Sequence, residues 1–212
     1  MRQKMGNLII TVSREFGSGG RELGRRLAEA LGFAYYDREI VEEIANRSEL
    51  SVHYVNDILE HRPAFSFPIH TGTSFVMTEA IWNPTQAVYA TQCQILKEMA
   101  EKSDCVVVGR CSDYILREFE PLSVFVYARM QHRIERCREK RPDEERTDRQ
   151  LVRMIKNIDK HRAKYYEFFT ARKWGDKSHY DICINTSAID VKDAAAMLAD
   201  YVKSTSTPKI ST

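Results

Sequence analysis

The chain has 212 residues, 43% of them hydrophobic and 29% charged, with a formal net charge of +2. That length suits one domain with a substantial core, the charge is too small for general nucleic-acid binding, and no apolar stretch reaches the roughly 20 residues that span a bilayer. Five scattered cysteines without a C-x-x-C pair, and six histidines without an H-x-x-x-H pair, argue against a disulfide framework or a metal held by protein side chains.

In chain order, "MRQKMGNLIITVS" has too short an apolar core for a secretory signal, which predicts a cytoplasmic protein. Within it "NLIITVS" (7–13) is a continuous apolar run, suited to a strand buried on both faces. "SREFGSGGRELGRRL" follows, and "GRELGRRLAEALG" reads as a helix closed by Gly32. "FAYYD" (33–37) reads as a short strand, with Asp37 placed to cap the helix "REIVEEIANRS".

A helix is expected at about 51–61, then an irregular aromatic insert at 62–77 and a long helix at 84–103. "CVVVGR" (105–110), "LSVFVYA" (122–128) and "YDICINT" (180–186) are further strand runs, separated by helical patterns at about 111–118, 129–140 and 146–173, with a last helix at 191–203. Strands alternating with helices predict an α/β fold, a largely parallel sheet flanked by helices. One domain over 1–204 is expected, with a frayed tail at 205–212.

A glycine turn between the first strand and the first helix lets backbone N–H groups approach phosphate oxygens, aided by the helix dipole. The usual loop is G-x-x-x-x-G-K-[ST]. Here Gly17 and Gly19 fit loop glycines, Gly20 falls at the lysine, Arg21 at the next position and Arg14 at the first glycine; a one-residue slip puts Arg21 at the lysine and Glu22 at the hydroxyl. Neither register restores the pattern, and Ser18 has no supporting spacing. The segment 17–22 reads either as an altered phosphate site or as a ligand-free turn.

The succession "ITVSREFGSGGRELGRRLAEALGFAYYDREIVEEIA", "CVVVGRCSDYIL", "DKHRAKYYEFFT" and "YDICINTS" resembles the cytidylate kinase-like family, a divergent branch of the P-loop nucleoside monophosphate kinases, over roughly 7–203. The resemblance implies a three-layer P-loop kinase fold with a helical lid at about 129–173 and an acceptor-binding insert at about 50–83. It implies ATP with nucleotide-bound Mg²⁺ as cofactors, and nucleoside triphosphate and monophosphate as the small-molecule partners.

By the same resemblance Asp37 and Arg38 stand near the acceptor, with an N-cap and a solvated side chain as the plain alternatives. Arg110 matches an arginine that contacts the monophosphate, or serves an ion pair; the aspartate the family places two residues earlier is Val108 here. Arg129, Arg133 and Arg136 match lid arginines or an exposed helix face. Asp159 and Arg162 match the second lid arm, Asp159 as a substrate contact and Arg162 with Arg21, Arg129 and Arg133 as catalytic cations. Tyr165 and Tyr166 pack the lid or stack on a base. The implied activity is phosphoryl transfer to CMP or dCMP. The alternatives are a non-catalytic nucleotide- or anion-binding protein of the same fold, or a kinase for another small metabolite.

Overall fold

The computed structural model describes residues 6–60, 84–143 and 145–206. Five strands, β1 (Ile9–Arg14), β2 (Ala34–Tyr36), β3 (Cys105–Val108), β4 (Leu122–Tyr127) and β5 (Ile182–Asn185), form one sheet in the order β2-β3-β1-β4-β5. Every pairing is parallel, and "NLIITVS" and "CVVVGR" are neighbours, with Ile9 opposite Cys105 and Val12 opposite Val108. All six residues of β1 are buried, as a central strand covered on both faces requires.

The helices are α1 (Gly20–Leu31), α2 (Glu39–Ser48), α3 (Val52–Glu60), α4 (Pro84–Lys102), α5 (Ser112–Ile115), α6 (Met130–Lys140), α7 (Asp148–Thr170) and α8 (Val191–Ser206). One face of the sheet buries Ile10, Val12, Val106 and Val124 under Leu23 and Leu27 of α1 and Leu198 of α8. The other buries Ile9 and Val107 under α2, α3 and α4, joined by Tyr165 and Tyr166 from the end of α7. Each of these large side chains contributes about 1.5–3 kcal/mol of transfer free energy. A third, smaller cluster of Ile134, Leu151 and Ile155 ties α6 to α7.

The element boundaries follow local chemistry. Gly32, at φ 71°, ends α1 in the left-handed conformation. Thr147 and Gln150 form a reciprocal capping box that starts α7 two residues later than periodicity alone suggests. The last helix runs to Ser206, so Thr205 and Ser206 of the expected tail are helical. The rest of that tail, and the insert with Phe65, Phe67 and Phe75, lie outside the described residues. Among the described residues no helix is long and apolar enough to cross a membrane.

This order of strands places a topological switch at β1, whose neighbours β3 and β4 lie on opposite sides. Ligands of open α/β sheets bind beyond the carboxyl ends of the strands at such a point. Here that point holds the glycine turn after β1 and Gly109–Arg110 after β3.

Candidate active site

Between β1 and α1 the chain turns through Glu15–Gly19, with Gly17 at φ 76° and Gly19 at φ 84°. The turn is anchored from two sides. Arg133 of α6 donates from Nε to the Phe16 carbonyl at 2.7 Å, and Asp159 of α7 accepts the Phe16 N–H at 2.8 Å. Thr186 donates its hydroxyl to the Ser18 carbonyl at 2.6 Å, and Arg136 reaches the same carbonyl at 3.3 Å.

A trans peptide sets its N–H opposite its C=O. Holding the Phe16 and Ser18 carbonyls outward therefore turns the Gly17 and Gly19 N–H groups the other way. A side chain at Gly19 would run into Val191, its Cβ 2.6 Å from Cγ2, so the close approach of the turn to α8 needs glycine there. The first-turn N–H groups of α1 lack intrahelical acceptors and carry the positive end of the helix dipole.

These groups border a cavity of about 310 Å³ beneath α6 and α7. Its wall includes Gly17, Gly19, Gly20 and seven cationic side chains: Arg14, Arg21, Arg38, Arg136, Lys140, Arg141 and Arg162. Glu15 is the one acid on that wall. Burial raises the Glu15 carboxyl above its usual pKa, with the Arg133 guanidinium acting against it. A cleft of about 40 Å³ continues past Arg14 to Ser13, Arg110, Tyr165, Tyr166 and Trp174.

The residues singled out in the sequence part company here. Gly17, Gly19, Gly20, Arg21, Arg38 and Arg162 all border the 310 Å³ cavity, and Arg162 also lies over the Phe16 ring at 5.7 Å. Arg110 borders the inner cleft, with its backbone carbonyl accepting from Gln92 at 2.8 Å. Arg21 forms an ion pair with Asp37, Nε to Oδ2 2.6 Å. Asp37 is buried and does not cap α2; the N-cap is Arg38, without a side-chain cap. Burial and the Asp37 carboxylate push the neighbouring Tyr35 hydroxyl up to about 12.

The remaining predicted residues serve the scaffold in this conformation. Arg133 is buried between Glu15, at 3.1 Å, and Asp159. Asp159 therefore holds the turn and Arg133 together instead of facing the cavity. The Ser18 hydroxyl turns inward to the Glu15 carbonyl at 2.9 Å. Glu22 pairs with Arg26 on the outer face of α1, beside a separate open cavity. Arg129 is exposed at the start of α6, its N–H held by the Ser187 hydroxyl. Tyr165 and Tyr166 are packed, the Tyr166 hydroxyl donating to Asp113 at 2.6 Å.

Sequence reasoning counted Lys140 and Arg141 within the basic run 128–142, as positive potential suited to a small polyanion, without assigning them to the site, and gave Arg14 no role. The signal for Arg14 was present: a bulky cation at a position the loop pattern reserves for glycine.

The donor set fits polyphosphate, through backbone N–H groups and cations. It does not supply the loop hydroxyl that would bind Mg²⁺: Arg21 stands after Gly20, and Ser18 Oγ is committed. Among the described residues no group of three or more His, Cys, Asp or Glu gathers around a metal position.

A glycine turn after the central strand of a parallel sheet, opening on a basic cavity under two helical arms, defines the P-loop kinase class of fold. Solved shikimate kinases share it: the Bacteroides thetaiotaomicron enzyme superposes with TM-score 0.55 at 14% identity, covering 92% of this chain and 98% of its own. The Acinetobacter baumannii enzyme, solved with shikimate, gives 0.52 at 16%, over 94% and 95%. An uncharacterized protein from Eubacterium ventriosum is more similar, with TM-score 0.68 and 27% identity over 93% of this chain and 99% of that one.

Residues 9–188 match the model of the cytidylate kinase-like family, and the chain belongs to that family. Cytidylate kinase of Saccharolobus islandicus is 20% identical over 200 residues, 94% of this chain and 93% of the relative.

Proposed function

We propose that the protein transfers a phosphoryl group from ATP to a nucleoside monophosphate, with CMP or dCMP as the acceptor. The observation that carries this reading is the cavity wall, seven cations against Glu15 beside the glycine turn. Phosphoryl transfer asks a protein for positioning and for positive charge around the moving group more than for covalent chemistry.

ATP, when bound, supplies the phosphoryl group and carries Mg²⁺ on its own phosphates. The protein's part is to seat those phosphates on the turn and on the start of α1, and to surround them with Arg136, Lys140, Arg141 and Arg162. Arg110 stands past Arg14 at the carboxyl end of β3, a place for a cation that meets the acceptor's phosphate at the edge of the cavity. Family membership and the cytidylate kinase relatives support cytidylate as that acceptor.

A second reading has its own observation. Gly20 stands where a P-loop has lysine, and the neighbouring Arg21 is bound to Asp37. Those features favour a nucleotide- or anion-binding protein without transfer. A third reading keeps transfer and changes the acceptor to another small metabolite.

ADP formation from ATP and Mg²⁺ with CMP, dCMP, AMP, GMP, UMP and shikimate, alongside calorimetric ATP titration, separates the three. Turnover highest with CMP or dCMP is the expected result. Turnover only with shikimate moves the acceptor to another metabolite, and ATP binding without any turnover replaces transfer by binding.

A further inference from the structure

We infer that Arg14 is the cation that replaces the missing loop lysine, brought to the same place from the opposite end of the turn. This rests on the phosphate-site reading of the cavity. Arg14 is the last residue of β1, paired in register with Val126 of β4, and only 8% of its surface is exposed.

The path of its side chain is recorded by two glycines. A Cβ built on Gly20 would lie 2.4 Å from Arg14 Cβ and 3.1 Å from its Cγ, so the stem crosses the residue that opens α1. A Cβ built on Gly109 would lie 1.7 Å from Arg14 Nη1 and 2.7 Å from Cζ, so the guanidinium rests on the turn after β3. The 2.4 Å contact at Gly20 is with the strand-held stem of Arg14 and leaves no room for a side chain, whereas Gly109, at φ 73°, suits glycine on backbone grounds and lies against the free-swinging end of Arg14.

A side chain at position 20 is therefore excluded by the stem of Arg14, with Val126 Cβ at 3.1 Å closing the other side. Arg14 lines both the 310 Å³ cavity and the inner cleft, so it stands where donor phosphates and acceptor would meet on that reading. Strand pairing fixes one end of the side chain, and Gly20 and Gly109 shape the channel for the rest. A planar guanidinium presents several donors to phosphate oxygens where an ammonium presents a point charge. Arg21 is 45% exposed and does not border the inner cleft, which makes it the poorer substitute.

The test compares wild type, Arg14→Gln, Arg21→Gln, Gly20→Lys and the double swap Arg14→Gly/Gly20→Lys. The readouts are melting temperature, calorimetric affinity for ATP, and ADP formation with CMP. A folded Arg14→Gln is expected to bind ATP about ten- to a hundredfold more weakly, and its turnover to fall about a hundredfold or more. Arg21→Gln, which also leaves the buried Asp37 without its cation, is expected to weaken ATP binding less than Arg14→Gln does. Gly20→Lys alone loses ATP binding because Arg14 occupies the space, and the double swap regains most of it.

Unchanged ATP affinity in a folded Arg14→Gln overturns the inference, even where wild type turns over CMP. Wild type that binds ATP and transfers to no acceptor ends the kinase reading, and leaves Arg14 to be judged by the affinities. If the Arg14 variants do not fold, a crystal structure of wild type with a non-hydrolysable ATP analogue decides. A guanidinium within about 4 Å of a β- or γ-phosphate oxygen supports the assignment, and one turned away from the phosphates overturns it.

Discussion

Arg133 and Arg162 stand on consecutive helices beside the same glycine turn, and they do different work. Arg133 is buried and spends its donors on Glu15, Asp159 and the Phe16 carbonyl. Arg162 is half-buried on the wall of the cavity, over the Phe16 ring. The base of the arm is an ion-paired cluster that holds the turn. The inner wall, with Arg38, Lys140 and Arg141, is a charged lining around open space. Like residues beside one turn thus divide between building the site and bordering it, and the division follows burial.

The sharpest way to break that contrast is Arg133→Met. It leaves Glu15 and Asp159 without their cation and the Phe16 carbonyl without a donor, and removing one partner of a buried pair costs about 3–5 kcal/mol. A fall of that size in unfolding free energy, measured by urea denaturation, is the expected outcome. Arg162→Met should cost less than about 1 kcal/mol in the same assay. Equal losses in the two variants would erase the distinction.

The same contrast marks what was readable in the sequence. Among the described residues, five strand runs and seven of the eight helices were legible because burial on two faces and amphipathic periodicity are local signals; the brief α5 was expected longer, at 111–118. The glycine turn was legible because its chemistry lies in consecutive residues. The division among the arginines was not. Arg133 meets its partners 26 and 117 positions away, and no spacing within "ARMQHRIERCREKRP" records that. Asp37 read equally as a helix cap or an acceptor contact, until α1 and β2 brought Arg21 to it across 16 positions. Arg14 was visible only as a departure from a pattern; its path over Gly20 and Gly109 needed three separate segments in space.

A second test falls on the floor of the inner cleft. Asp113 is buried beneath Tyr166, and burial raises its carboxyl pKa, with the Tyr166 hydroxyl opposing. An acid whose folded pKa is raised keeps its proton while the unfolded chain has already lost it. Its contribution is therefore present below the ordinary value of 3.8 and is lost as pH rises through the folded value. Asp113→Asn keeps an oxygen to accept from Tyr166 and cannot ionise. The stability of Asp113→Asn relative to wild type should grow from pH 4 toward neutrality, read as the difference in melting temperature across a pH series. A difference independent of pH would show that Asp113 does not titrate in this window.

The cavity wall should answer to ligand and not to folding. Arg38→Gln is expected to weaken ATP or CMP binding about two- to fivefold, an effect of order 0.5–1 kcal/mol that shrinks as salt is raised. Its melting temperature should stay at the wild-type value, because the side chain is exposed. An affinity loss that does not respond to salt would mean Arg38 acts through the shape of the cleft.

The smallest effect is expected at Arg129, the exposed arginine that the same lid pattern grouped with Arg133. Its backbone N–H donates to the Ser187 hydroxyl at 2.6 Å, and a backbone bond survives any side-chain change. Arg129→Ala should therefore shift stability by no more than about 0.5 kcal/mol, and ATP affinity by less than Arg38→Gln does. A large loss of turnover at unchanged stability and ATP affinity would instead show that the guanidinium swings into the cavity once phosphates are bound. That would move Arg129 to the catalytic wall and make the arm's inner face larger than its resting geometry shows.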